Sequence, residues 1–153
     1  MPARTEMTDA EAVAVGRHVF PLRVYYEDTD AEGVVYYANY LKFAERARTE
    51  LLRDLGFEHH ALMNGDGIAF FVRRCTADFK KSARLDDALE VVSEIEKIGG
   101  ASLDARQAVT RAGEDLVLLE IRLACLDKQG RAARMPANLR FALEEFRTGK
   151  GRN

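Results

Sequence analysis

A cluster of acidic residues lies between two patterned segments of this chain, at residues 27–32. Asp28 and Asp30 follow a strand-like run, and Gly33 then turns the chain into a long amphipathic helical pattern. This order places carboxylates beside the free N–H groups of a helix N-terminus, where an anion or a polarised carbonyl can be held. A soluble domain has little structural need for such a cluster, so we interpret residues 26–40 as a functional site.

The acidic cluster is open to several interpretations. The spacing of Asp28, Asp30 and Glu32 matches the first, third and fifth positions of a calcium-binding EF-hand loop. The twelfth position is Asn39 rather than Glu, and a strand enters the loop, so calcium is disfavoured. A phosphotransfer Asp-x-Asp site is disfavoured because it would need alternating strands and helices. A structural role, in which Asp28 or Asp30 caps the helix or the turn, stays open for each carboxylate taken alone.

Other catalytic groups find little support in the sequence. The chain has no Gly-x-Ser-x-Gly elbow, no glycine-rich dinucleotide fingerprint and three serines in all. His18 ends the presumed N-terminal tail. His59 and His60 follow the helix and lack accompanying metal ligands. We therefore predict no metal site, and a carboxylate acting with backbone N–H groups is the chemistry that remains.

The elements that must position this chemistry follow from the apolar periodicity. Apolar residues at steps of three and four predict one long helix of about 20 residues, ~30 Å in length, which Gly56 ends. Its apolar stripe consists of Tyr40, Ala44, Ala47, Leu51 and Leu55. Period-two alternation predicts a strand before it, at residues 20–26, and four strands after it, separated by turn signals. A short helix, about 136–146, with Pro136 in its first turn, ends the pattern.

The predicted fold class is α+β, an antiparallel five-stranded sheet wrapped around one central helix. We expect a disordered tail at residues 1–17, one domain at residues 18–147 and a C-terminal tail at residues 148–153. Short links between the later strands imply antiparallel hairpins. Because such an open sheet leaves edge strands unpaired, pairing with a second copy of the chain is expected.

Composition limits the classes of partner and compartment. The formal net charge of −2 argues against binding to nucleic acid through the overall charge of the protein. Cys75 and Cys125 lie in strand-like runs and are predicted to be two buried thiols of a reducing cytoplasm. No apolar run reaches the ~18 residues of a membrane span, and the sequence gives no support for peripheral membrane association. We expect a cytoplasmic protein.

The residues quoted above resemble a known family. Residues 24–30, 33–36, 39–40 and 45–50 are similar to the hotdog-fold acyl-CoA thioesterases, and the similarity extends through residues 70–74 and 83–87. The resemblance is to the Tol–Pal-associated YbgC type, related to 4-hydroxybenzoyl-CoA thioesterase, and covers roughly residues 20–145. It implies a hotdog fold and hydrolysis of an acyl-CoA, with coenzyme A as part of the substrate and no separate cofactor.

The resemblance also assigns roles to individual residues. Asp30, the second Asp of Asp-Thr-Asp, corresponds to the catalytic carboxylate, and the backbone N–H that polarises the thioester carbonyl falls on Tyr37. Asn39 and Glu45 are expected to support the site. Many YbgC-type proteins have His where this chain has Tyr37, but the backbone donor survives any side chain except proline. Whether Asp30 attacks the carbonyl or activates a water is left open.

The resemblance leaves the substrate and the partners less defined. Relatives often place Arg or Lys in the hairpin at residues 97–102, where this chain offers Lys97 alone, so Lys97, Arg131 and Arg134 are the candidates for the CoA phosphates. A rival hypothesis is a non-catalytic scaffold that holds an acyl-carrier protein or envelope-associated partners. A hotdog dehydratase would need a His general base near the helix, and it is disfavoured because His59 and His60 lie beyond the helix C-terminus. A homodimer or homotetramer is expected, with acyl length and type undetermined.

Overall fold

The computed structural model describes residues 13–14 and 16–149. Its elements are the strands and helices that follow in chain order. They are β1 Val13–Ala14, β2 Arg17–Arg23, a 3-10 turn Tyr26–Asp28, α1 Asn39–Asp54, α2 His59–Ala61, a π-helical turn Leu62–Asp66, β3 Ile68–Phe79, β4 Ala88–Ile98, β5 Ser102–Arg111, β6 Glu114–Asp127 and α3 Ala137–Thr148. No helix in this part of the chain is long and apolar enough to cross a membrane.

The strands form one antiparallel sheet in the order β1-β2-β4-β5-β6-β3. The α+β class and the antiparallel sheet are confirmed. The sheet has a sixth strand, because Val13–Ala14 pairs with Arg17–His18 in a segment that the sequence assigned to the tail. The remainder of the expected tails, residues 1–12, 15 and 150–153, lies outside the described residues.

The helix α1 packs across the sheet against β2, β4 and β5. Its buried side chains are Tyr40, Phe43, Ala44, Ala47, Leu51 and Leu52. The helix has 16 residues, about 24 Å. It is shorter than the expected ~20 residues because it covers only the apolar stripe and its immediate neighbours, from Asn39 to Asp54. Gly56, with φ of +96°, follows its last turn as predicted. The terminal helix α3 covers β4, with Pro136 at its N-cap rather than inside its first turn.

The strand β3 forms an edge of the sheet and departs from the predicted alternation. A β-bulge leaves Arg73 without a partner on β6, so Phe71 pairs with Ala124 whereas Cys75 pairs with the inward-facing Ile121. The two side chains therefore lie on opposite faces, since one extra residue reverses the alternation. Cys75 is exposed and Cys125 is buried, so the prediction of two buried thiols was wrong for Cys75.

Candidate active site

The two aspartates of the acidic loop have different environments. Asp28 is 7% exposed, and its Oδ2 accepts a 2.8 Å hydrogen bond from the backbone N–H of Tyr25. Its carbonyl oxygen accepts hydrogen bonds from Tyr36 N at 3.0 Å and from Asn39 Nδ2 at 2.9 Å. Asp28 is therefore the residue that holds the loop together, the structural role that the sequence left open for both aspartates.

Asp30 is exposed, and its backbone closes the tip of the loop. Its N–H donates to Val34 O at 2.9 Å, and its carbonyl accepts from Gly33 N at 3.0 Å, where Gly33 has φ of +79°. Its Oδ1 accepts a 2.9 Å hydrogen bond from Glu32 N. The residues that the structure describes form no hydrogen bond to Oδ2 and no ion pair with this carboxylate. One oxygen is thus held and the other faces solvent, as a nucleophile or base requires.

The start of α1 presents backbone donors beside this loop. The N–H groups of Asn39, Tyr40 and Leu41 donate to carbonyls three residues earlier, at 2.8, 3.3 and 3.2 Å. The N–H groups of Tyr37 and Ala38 donate to no group within residues 16–149. Ala38 is the N-cap and has no side chain that could cap the helix. Both donors therefore lie unsatisfied at the positive end of the helix, and Ala38 is a donor that sequence reasoning missed.

The helix N-terminus is fixed by aromatic and backbone contacts. The buried hydroxyl of Tyr40 accepts a 2.9 Å hydrogen bond from Ala83 N; burial raises the pKa of Tyr40, and this hydrogen bond opposes the rise. Val35 N donates to Ala83 O at 2.9 Å. The ring of Tyr37, 60% exposed, meets Phe79 edge to face at 5.8 Å. The loop, the helix start and the end of β3 are thereby joined into one unit.

A cavity of about 360 Å³ lies between α1 and the sheet, further along the helix. Most of its wall is apolar. The apolar lining includes Leu51, Leu52, Phe70, Ile95, Leu103 and Leu123. Glu45 reaches this cavity rather than the acidic loop, six residues after Asn39 and so about 9 Å along the helix axis. Glu45 is exposed and makes no ion pair with another described residue. The structure therefore places Glu45 apart from Asp30 and Tyr37.

A buried polar network supports one wall of the cavity. Arg48 Nη1 donates to Gln107 Oε1 at 2.9 Å, and Gln107 Nε2 donates to Ala44 O and Ser93 Oγ, each at 2.9 Å. Burial lowers the pKa of Arg48, and burial and then the Arg48 charge lower the pKa of His59. Sequence reasoning missed Gln107, whose signal was a polar residue at an inward position of the alternating strand β5.

The residues predicted for the CoA phosphates lie at the other end of the sheet. Lys97 precedes the β4–β5 hairpin, and Arg131 and Arg134 lie in the segment between β6 and α3, which contacts that hairpin through Met135 N and Gly100 O. The acidic loop instead contacts residues 83–87, before β4. Since β4 spans about 33 Å, one chain does not bring these cations to Asp30. No group of three or more metal-ligating side chains occurs among the described residues.

Comparison with known proteins finds a matching family and several relatives of this chain. The model of the thioesterase superfamily matches residues 32–118. The acyl-CoA thioester hydrolase YbgC of Shigella flexneri is 48% identical over 109 residues, which cover 71% of this chain and 81% of the relative. The acyl-CoA thioesterase YbgC of Haemophilus influenzae is 45% identical over 108 residues, covering 71% and 79%.

A solved structure supports the same conclusion. The crystal structure of a probable thioesterase from Bartonella henselae is 36% identical and has a TM-score of 0.76, covering 78% of this chain and 99% of the other. The resemblance drawn from residues 24–50 and the expected hotdog fold are both confirmed by these matches. The chain belongs to the thioesterase superfamily.

Proposed function

We propose that this protein hydrolyses acyl-CoA thioesters to a free acid and coenzyme A, with Asp30 as nucleophile or general base. One observation carries the proposal: the carboxylate of Asp30 has an unoccupied oxygen in the loop that leads directly to the unsatisfied N–H groups of Tyr37 and Ala38. The substrate class comes from the names of the YbgC relatives.

Thioester hydrolysis suits a carboxylate that acts together with backbone N–H donors. A thiolate leaves readily because its conjugate thiol has a pKa of about 8.5, so no strong acid is needed. In one route Asp30 attacks the carbonyl carbon, the thiolate departs, and water hydrolyses the mixed anhydride. In the other Asp30 takes a proton from water, the hydroxide attacks the carbonyl carbon, and the thiolate departs. In both routes the N–H of Tyr37 stabilises the oxyanion, with Ala38 as a second donor.

The supporting residues act in different places. Asn39 acts indirectly, because its side chain holds the Asp28 carbonyl and so positions the loop that bears Asp30. Glu45 acts along the helix, where it lines the cavity beyond the reacting carbonyl. The reaction requires water, a carboxylate and backbone donors, and coenzyme A enters as part of the substrate. The two free cysteines favour a reducing compartment, and we place the protein in the cytoplasm.

A second copy of the chain is part of this proposal. On its outer side the edge strand β3 pairs with no other strand of the described residues. It exposes Phe71, Val72 and Phe79 at 50%, 52% and 45%, a surface prone to pair with another strand. If two β3 strands paired antiparallel along their whole length about a two-fold axis, Phe79 of one subunit would lie opposite Ile68 of the other. That arrangement supports a homodimer as the basic unit.

The same pairing accounts for the distant cations. Phe79 contacts Tyr37, whereas Ile68 pairs with Asp127 beside Arg131. In the dimer the cationic end of one subunit would therefore approach the acidic loop of the other. Lys97, Arg131 and Arg134 would then bind the CoA phosphates of a substrate held by the second subunit.

The substitution Asp30→Asn tests the proposal against a panel of short aliphatic, long aliphatic and aromatic acyl-CoAs. The Asn side-chain oxygen still accepts the Glu32 N–H, so the loop is retained while the reactive carboxylate is lost. We expect kcat/KM to fall at least ~100-fold, as for loss of a general base. Glu32→Gln, which neutralises the neighbouring exposed carboxylate, is the matched control and should keep its activity.

Two results would overturn the proposal. Full hydrolysis by Asp30→Asn would remove the assignment of Asp30. Wild-type protein that hydrolyses no member of the panel, yet retains an acyl-carrier protein in a pull-down, would favour the scaffold hypothesis instead.

A further inference from the structure

Arg48 is a half-buried cation that forms no ion pair with a carboxylate of the described residues. No Asp or Glu oxygen of the described residues lies within 4.0 Å of its guanidinium, whereas Arg53, Arg106, Arg111, Arg122 and Arg147 all form such ion pairs. Only its Nη1 has a hydrogen bond within residues 16–149, to Gln107. A desolvated charge is costly unless it is paired, so the remaining N–H groups, on a residue that lines the cavity, are placed to meet a ligand.

The network below Arg48 fixes the direction of its guanidinium. Gln107 is fully buried, and Ser93 is 1% exposed. The amide of Gln107 is held by Ala44 O and Ser93 Oγ, so its oxygen faces Arg48 in one orientation. A donor that is positioned in this way discriminates between ligands, because an apolar ligand group leaves it unpaired.

The cavity around Arg48 has the composition of a small-molecule pocket. Its apolar wall is interrupted by a few polar groups, Arg48 among them, as in most small-molecule sites. Leu41, Glu45 and Arg48 follow one another at steps of four and three, so they lie along one flank of α1, and Tyr37 lies two residues before the start of that helix. This flank connects the backbone donor of Tyr37 with the cavity.

The distance along this flank fits an extended acyl group. Nine residue steps lead from Asn39, the first residue of α1, to Arg48, about 14 Å of helix. The long Arg48 side chain shortens this gap because helical side chains lean toward the N-terminus. Leu41, 42% exposed, offers apolar contact on the way. An acyl group whose carbonyl lies at Tyr37 N–H would thus reach the guanidinium with its distal end.

We propose that the cavity receives the distal part of the acyl group, and that Arg48 donates a hydrogen bond to an oxygen atom there. The substrates are then acyl-CoAs whose acyl group has a hydroxyl, carbonyl or carboxylate oxygen remote from the thioester. This inference rests on the proposed thioester hydrolysis and adds a substrate class to it.

The test compares matched acyl-CoAs on wild-type protein. Octanoyl-CoA is compared with ω-hydroxyoctanoyl-CoA and suberoyl-CoA, and decanoyl-CoA with its ω-hydroxy analogue and sebacoyl-CoA. We expect kcat/KM to favour an oxygenated member by roughly tenfold or more, the size expected for a hydrogen bond to a charged group. Preference for the diacid would identify a carboxylate as the acceptor, and preference for the ω-hydroxy substrate would identify a neutral oxygen. No preference at either length would overturn the inference without requiring any variant.

Arg48→Met removes the donors and keeps an unbranched side chain of similar length. We expect the ratio between oxygenated and plain substrates to fall to about one or to invert. Arg46→Met, on the exposed face of the same helix, is the matched control and should keep the wild-type ratio. An unchanged ratio in a folded Arg48→Met protein, verified by its thermal transition, would also overturn the inference.

A binding measurement distinguishes failure of this inference from failure of the proposed function. Asp30→Asn protein is titrated calorimetrically with octanoyl-CoA and suberoyl-CoA, alone and combined with Arg48→Met. Tighter binding of suberoyl-CoA that is lost with Arg48 supports the inference even without turnover. Hydrolysis of all plain acyl-CoAs with equal binding of both ligands would leave the proposed function standing and remove the role of Arg48.

Discussion

The side-chain amide of Asn39 donates a 2.9 Å hydrogen bond to the carbonyl oxygen of Asp28. The two residues belong to different elements, since Asp28 ends a 3-10 turn and Asn39 is the first residue of α1. The same carbonyl accepts the N–H of Tyr36. The contact therefore couples the position of the acidic loop to the first turn of the helix.

Substituting Asn39→Ala should loosen this coupling. We expect kcat/KM to fall tenfold or more, because displacement of reacting groups by ~1 Å can cost ~100-fold. The free energy of unfolding should fall by about 1 kcal/mol for the lost hydrogen bond. Steady-state kinetics and urea unfolding measure the two effects. Asn64→Ala, at an exposed asparagine that contacts His60, is the control, and wild-type activity in Asn39→Ala would contradict the positioning role.

The backbone donor of Tyr37 can be tested by removing its N–H. Tyr37→Pro should lower kcat by ~100- to 1000-fold, the usual cost of one oxyanion donor. Tyr37→Ala keeps the N–H and loses the ring contact with Phe79, so it should lose far less. The comparison is valid if both variants have cooperative thermal transitions. Equal loss in the two variants would assign the effect to the side chain and remove the donor role.

The acidic loop shows what the sequence could and could not predict about the site. Asp28 and Asp30 have the same chemistry and lie two residues apart, so composition and spacing left capping open for both. Backbone hydrogen bonds distinguish them, because Asp28 is buried under Tyr25 N whereas Asp30 keeps an oxygen in solvent. These two bonds are local and available to either aspartate. The burial of Asp28 and the hydrogen bonds that its carbonyl accepts from Tyr36 N and Asn39 Nδ2 depend on the fold of the whole loop.

The sheet was predicted in class but not in its detail, and one residue explains much of the difference. The bulge at Arg73 reverses the faces of β3, and a single inserted residue leaves no mark in an alternating pattern. Cys75 and Val72 are exposed for the same reason, because both lie on β3, the edge strand of the sheet. The sequence alone does not show which strand lies at the edge, because that depends on the tertiary fold. Gln107 was detectable as a polar residue at an inward position, but its partner Arg48 comes from a helix 59 residues away.

The proposed dimer predicts a specific effect at the edge of β3. Val72→Lys places a charge on an exposed apolar position of the edge strand, a device that natural proteins use to block strand pairing. We expect sedimentation velocity to show a shift from dimer to monomer. Hydrolysis should be lost as well, because the proposed CoA-binding cations would come from the other subunit and because Val72 also lines the cavity.

The matched control for this edge is Phe141→Lys, which charges a residue of α3 that is 64% exposed. It should leave the β3 dimer intact. A Val72→Lys protein that stays dimeric and active would show that the copies associate through another surface.

The Asp87 carboxylate makes stability depend on acid pH. Its burial works against the charged form, but the N–H of Arg84 and the guanidinium of Arg111, at 2.8 Å each, outweigh it and hold the pKa of Asp87 below its ordinary value. Because the folded-state pKa is lowered, the stabilisation is fully present above the unfolded value of about 3.9. It is lost as the pH falls from there through the folded pKa.

Asp87→Asn should therefore be less stable than wild type at neutral pH, and the difference should shrink below about pH 4. Urea unfolding at a series of pH values measures it, at one ionic strength, because exposed charges are screened by salt. Asp66→Asn is the control, since the exposed Asp66 side chain has no hydrogen bond or ion pair with the other residues described. A difference between Asp87→Asn and wild type that stays constant down to about pH 3 would show that Asp87 contributes through packing or a neutral hydrogen bond, because a contribution from its charge must vanish once the folded carboxyl is protonated.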